Sequence, residues 1–145
     1  MHLRHLPTTL HVCLGLTLLD TSCQNDAYIG DFYGQWQLTE LSTADTVAYP
    51  RNLFFAFQSN VIQAIITGTD AHFSSTIKGT WEQKGDSLFI SFYSEPELLD
   101  ANRQYLKVFF VMDGEPNDLR FGLQLSSQTL TLTQGNSSQW HFRKY

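Results

Sequence analysis

The chain has 145 residues and a formal net charge of −5, with its Lys and Arg scattered rather than clustered, a balance that argues against a nucleic-acid partner. Aromatic residues make up 14% of it and charged residues only 16%, enough apolar surface for one packed domain in a chain too short for two. Only His72 and His141 lie beyond the N-terminal segment, which starves histidine-based catalysis.

The N-terminus reads as a targeting segment. Arg4 and two histidines form a weakly positive start, and residues 8–19 form an apolar run of signal-peptide length, too short to span a bilayer as a helix. Asp20-Thr21-Ser22-Cys23 follows, then polar Gln24-Asn25-Asp26. Small residues before a cysteine at this distance resemble a bacterial lipobox, with Asp20 where leucine usually stands and Leu19 one step back. The expected organisation is therefore a lipoprotein signal peptide over residues 1–22, lipidation at Cys23, a tether over residues 23–33 and one domain over residues 34–145. Cys13 would leave with the leader, so the mature chain holds no thiol partner for a disulfide framework.

From Gly34 onward the chain reads as strands. Trp36, Leu38 and Glu40 fall on one face of the first, with Gln37, Thr39 and Leu41 on the other. After a polar loop, residues 52–58 set Leu53, Phe55 and Phe57 against Phe54 and Ala56; Ser59-Asn60 suits a hairpin turn, and residues 61–67 are rich in β-branched side chains. Residues 72–83 place Ile77, Gly79 and Trp81 on one face, with Gly79 expected to mark a bulge or bend. Residues 87–93 alternate as well. The one stretch suited to a helix covers residues 95–103, where Pro96 and acidic residues suit a first turn, and a surface Ω-loop fits it equally well. Residues 105–112, 119–126, 129–134 and 139–144 are expected as further strands.

Nine extended segments joined mainly by tight turns predict an all-β, antiparallel up-and-down meander of eight to ten strands, with at most one short helix. It would be rolled into a barrel or folded as a sandwich, and the barrel is favoured because residues 139–144 can pair with residues 36–41 and remove both edges. Nine strands close awkwardly in an antiparallel ring, so residues 105–112 or 61–67 are expected to continue a neighbour.

Several short motifs resemble the lipocalin-like lipoproteins of Bacteroides-type bacteria. They are the cysteine-ended leader, Gly34-Gln35-Trp36-Gln37-Leu38, Asn52-Leu53-Phe54-Phe55-Ala56-Phe57-Gln58, Lys84-Gly85-Asp86-Ser87-Leu88 and Trp140-His141-Phe142-Arg143-Lys144-Tyr145. The resemblance implies a lipocalin-like, calycin-type barrel closed at Gly34 and Trp36, with an arginine from the last strands over that tryptophan. Arg143 is the residue assigned and Arg120 the fallback.

No catalytic set emerges and no enzyme activity is expected. The acidic turn at residues 113–118 lacks the spacing of a calcium loop, Glu95 and Glu97 read as loop carboxylates, and no metal site or cofactor is expected. Candidate ligand-lining residues are Phe55, Phe57, Ile77, Trp81, Phe92 and Phe109, if they face inward. Two expectations stand side by side: a membrane-anchored binder of a small hydrophobic molecule, or an interaction or structural envelope lipoprotein whose barrel is filled by its own side chains. Either would sit in the bacterial cell envelope, on the outer membrane or cell surface rather than the inner membrane, its protein partner unknown.

Overall fold

The computed structural model describes residues 30–68, 74–92 and 95–145. The leader, Cys23, most of the tether, His72 and Tyr93 lie outside the described residues. The strands are β1 (Gly34–Ser42), β2 (Val47–Ala48), β3 (Leu53–Gln58), β4 (Val61–Thr67), β5 (Ser74–Lys84), β6 (Ser87–Phe92), β7 (Leu119–Leu125), β8 (Thr129–Gln134) and β9 (Ser138–Lys144). One helix, α1 (Leu99–Phe109), stands between β6 and β7, and a 3-10 turn (Gly30–Phe32) precedes β1. Each strand pairs antiparallel with the next, except that β3 bypasses the two-residue β2 to pair with β1, and β1 also pairs with β9. The result is a closed eight-strand barrel with one short extra strand. The expected meander and its closing pair are both present.

Closure involves an irregularity that alternation could not give. Leu38 pairs with Phe142 and Glu40 with His141, so the register slips between Leu38 and Glu40. Thr39 is the extra residue of this bulge, and its hydroxyl donates to the His141 carbonyl at 3.0 Å. The slip turns Leu41, expected on the opposite face, into the core beside Trp36 and Leu38.

Residues 105–112 are not a strand. Residues 105–109 are the C-terminal half of α1, which begins at Leu99, later than expected, and runs past the expected end. The stretch is apolar at nearly every position, so it carries no period-2 signal to separate strand from helix. At helical spacing Leu99, Leu106 and the C-cap Phe110 share a face, and Leu106 and Phe110 are buried while Val108 is 64% exposed. The helix ends with Val111 at a φ of 55°, a left-handed conformation that strains a β-branched residue. Met112 N–H then reaches back to the Leu106 carbonyl at 3.1 Å.

Gly79 makes no bulge: it pairs in register with Ile62 and with Phe92. A Cβ there would lie 2.3 Å from the Ser91 carbonyl oxygen and 2.7 Å from Phe92 Cα, so the missing side chain lets two strand backbones close on each other. Because both obstructing atoms are backbone, Gly79→Ala is expected to destabilise the protein by about 1–3 kcal/mol. The measurement is the urea midpoint; an unchanged midpoint would show that β5 and β6 part without penalty.

Candidate functional site

Two tryptophans organise the interior. Trp36 Nε1 donates to the Phe32 carbonyl at 3.0 Å, and Trp140 Nε1 donates to the Phe110 carbonyl at 2.6 Å. Both indoles are fully buried, where an unpaired N–H would cost free energy, so each one holds in place the backbone of a phenylalanine that lies off the barrel wall. Phe32, on the 3-10 turn, plugs the end where β1 starts. Its ring lies 5.1 Å from Phe57 and 4.7 Å from Trp81, between ring centroids. Phe110, following α1, plugs the opposite mouth and stacks on Phe55 at 5.3 Å.

Of the candidate lining residues, Phe55, Phe57, Ile77 and Phe92 are buried in the barrel interior, and the half-buried Trp81 packs against that core. Phe55 is the hub: besides Phe110 its ring meets Phe142 at 5.0 Å, Phe57 at 6.2 Å and Phe92 at 6.4 Å. Phe109 is not inward. It lies on the outer side of α1, 40% exposed, against Tyr105 at 5.0 Å, because the helix turns Phe110 inward instead. The space beside Trp81 is taken by Phe32 and Phe57. Among the described residues, two buried side-chain polar atoms lack partners, Trp81 Nε1 and the Tyr105 hydroxyl.

The cation over Trp36 is Lys144, not Arg143 or Arg120. Lys144 Nζ lies 4.7 Å from the indole centroid and donates to the Asp31 carbonyl at 3.0 Å and to the Tyr33 carbonyl. Alternation explains the correction: Trp140 and Phe142 point inward, so Lys144 shares their face and Arg143 points to solvent. Arg120 lies outside the barrel, 5.4 Å from the Phe89 ring. Gly34 is required at a φ of 117°, and a Cβ there would press on Lys144 Cε at 3.2 Å.

At the mouth, Arg103 bonds both Asp100 and Glu115, tying α1 to the following loop. Glu115, by hydrogen bond and charge, and then Asp100 hold the Arg103 guanidinium pKa above its ordinary value. Gln134 exchanges two hydrogen bonds with the Asp113 backbone, fastening the same loop to β8. Grooves on the barrel include one of about 360 Å³ beside Phe89 and Asn117 and one of about 290 Å³ along Thr131, Thr133 and His141. His141 Nδ1 there lies 3.2 Å from the Thr131 hydroxyl. Among the described residues, no three His, Cys, Asp or Glu side chains are grouped to hold a metal.

The two adjacent cations should therefore differ. Lys144→Gln removes the contact with Trp36 and two carbonyl bonds and is expected to cost about 1–2 kcal/mol, whereas Arg143→Gln should stay within about 0.5 kcal/mol of wild type. Thermal or urea unfolding of both variants measures this; equal losses would remove Lys144 from the closure.

Comparison with known proteins agrees with this architecture. A crystal structure of a lipocalin-like protein from Bacteroides uniformis ATCC 8492 superposes with a TM-score of 0.66 at 27% identity, covering 80% of this chain and 100% of that one. An uncharacterized protein from Bacteroides eggerthii DSM 20697 superposes with a TM-score of 0.66 at 22% identity, over 79% of this chain and 99% of its own, a likeness of fold. No protein with a curated description matches. The family model described as lipocalin-like domain matches residues 16–145, and the chain belongs to this lipocalin-like family.

Proposed function

We propose that this protein is a non-catalytic, lipid-anchored lipocalin-like protein of the bacterial cell envelope, which binds a small apolar ligand at the mouth covered by α1. The observation that supports it is the origin of Phe110. Of the rings that meet at Phe55 among the described residues, it alone arrives from an element outside the barrel wall. That element is lightly held: Leu106 is the buried residue of α1, and the helix leads into the strained Val111. Moving α1 aside would vacate an apolar site walled by Phe55, Phe92 and Phe142. It would also strip Trp140 Nε1 of its acceptor, the Phe110 carbonyl. The chemistry that fits is a molecule with an apolar body and one oxygen acceptor able to replace that carbonyl.

A brominated fatty acid, titrated while tryptophan fluorescence is read, tests the site. Quenching is expected in the wild type, and most of it should vanish in Trp140→Phe but persist in Trp36→Phe. Phe110→Ala, checked for folding by circular dichroism, should bind the probe more tightly because the plug is gone. If neither the wild type nor folded Phe110→Ala is quenched, the binding reading is wrong, and a filled barrel acting as an interaction or structural envelope protein replaces it. Anchoring is tested apart from binding: Cys23→Ser should move the protein from the membrane fraction to the soluble one. A variant that stays in the membrane fraction at full length would exclude the lipid anchor.

A further inference from the structure

An anchor at Cys23 raises the question of which end of the barrel meets the lipid. We infer that the Trp36 end stands on the bilayer, with Tyr33 and Tyr145 at headgroup level and α1 facing away, an inference that rests on the lipid anchor proposed above. Three independent features point the same way.

The first is reach. The chain enters the barrel at Gly30, at the Phe32-plugged end. Residues 24–29 separate it from Cys23, and even fully extended this segment covers only about 25 Å. The longest strand, β5, has 11 residues; with the usual tilt a strand of that length spans roughly 25–30 Å of barrel height. Only a taut tether laid along the wall would bring α1 down to the lipid.

The second is the aromatic pair. Tyr33 is 54% and Tyr145 76% exposed, and both flank the point of entry. The closing ladder brings them together: Trp36 pairs with Lys144, and Tyr145 N–H bonds the Gln35 carbonyl at 2.9 Å. The Tyr145 ring is braced edge-on by Phe54 at 5.2 Å. A tyrosine has an apolar body and a polar tip, which suits the boundary between acyl chains and headgroups.

The third is charge. Segments 43–52 and 95–118, which cover the mouth, hold seven carboxylates against Arg51, Arg103 and Lys107. At the other end Asp31, Glu82 and Asp86 are matched by Lys84, Arg143 and Lys144. An anionic bilayer repels the mouth and tolerates the balanced end. The mouth exposes Val47, Tyr49, Leu98, Val108, Phe109 and Val111, but these sit among the acids and farthest from the anchor.

The test uses the lipidated, full mature chain in vesicles of phosphatidylethanolamine and phosphatidylglycerol carrying a headgroup nitroxide lipid. The Cys23 sulfur is blocked by lipid, so one introduced cysteine takes one fluorophore. Gln128→Cys reports the Trp36 end, where the Gln128 carbonyl accepts from Lys144 N–H, and Asn136→Cys reports the mouth, on the turn between β8 and β9. Quenching is expected to be at least threefold stronger at position 128 than at 136, and the pair Tyr33→Ser and Tyr145→Ser should bring the two close together. Equal or reversed quenching in the wild-type background overturns the orientation while leaving the anchor intact. Protein that fails to float with the vesicles overturns the anchor, and the orientation with it.

Discussion

Everything in this fold depends on sealing a barrel whose wall alone leaves two open ends. The pairing of β1 with β9 closes the wall, but a ring of strands lined by phenylalanines still exposes them to water at top and bottom. The ends are sealed by Phe32 and Phe110, and both plugs are held by the same bond, a buried indole N–H to the plug's own carbonyl. A tryptophan brings a large apolar body and one donor that must be satisfied. In an apolar interior the nearest acceptor is a backbone carbonyl, so hydrophobic packing and hydrogen-bond satisfaction draw the same segment inward.

The two ends use this device with different backing. At the Trp36 end the plug is continuous with the first strand, Gly34 supplies a turn that other residues reach only under strain, and Lys144 clasps the Asp31 and Tyr33 carbonyls over the indole. At the mouth the plug follows a helix that buries one of its own residues, held by Arg103, Gln134 and the Trp140 bond. A left-handed valine ends that helix where glycine is the usual choice, so the closed mouth stores backbone strain at a β-branched residue. The asymmetry separates a fixed base from a cover held at modest free energy.

The base is also where the chain enters and where charge is balanced, while the acidic loops gather at the mouth. A protein tied to a membrane by a short segment would in this way keep its movable end toward the aqueous side. Opening of the mouth would then not have to compete with the lipid surface.

The strand alternation and turn residues were enough to specify an antiparallel meander, because a half-buried strand writes its two faces directly into the period of the sequence, and Gly34-x-Trp36 with the closing strand favoured a barrel over a sandwich. The inward placement of Phe55, Phe57, Ile77 and Phe92 was legible for the same reason, and Lys144 could have been read from its parity with Trp140 and Phe142. Other features required the folded chain. Residues 105–109 are apolar except at Lys107, so only the open mouth above Phe55 decides that they coil into α1 and deliver Phe110 rather than Phe109. The slip at Thr39 comes from fitting two strands at the closing seam, and no local residue announces it. Gly79 read as a bend, yet its role is the approach of a neighbouring backbone more than ten residues away in sequence. Local pattern sets which way a side chain points, whereas what it meets is decided by elements that the chain brings back from far along its length.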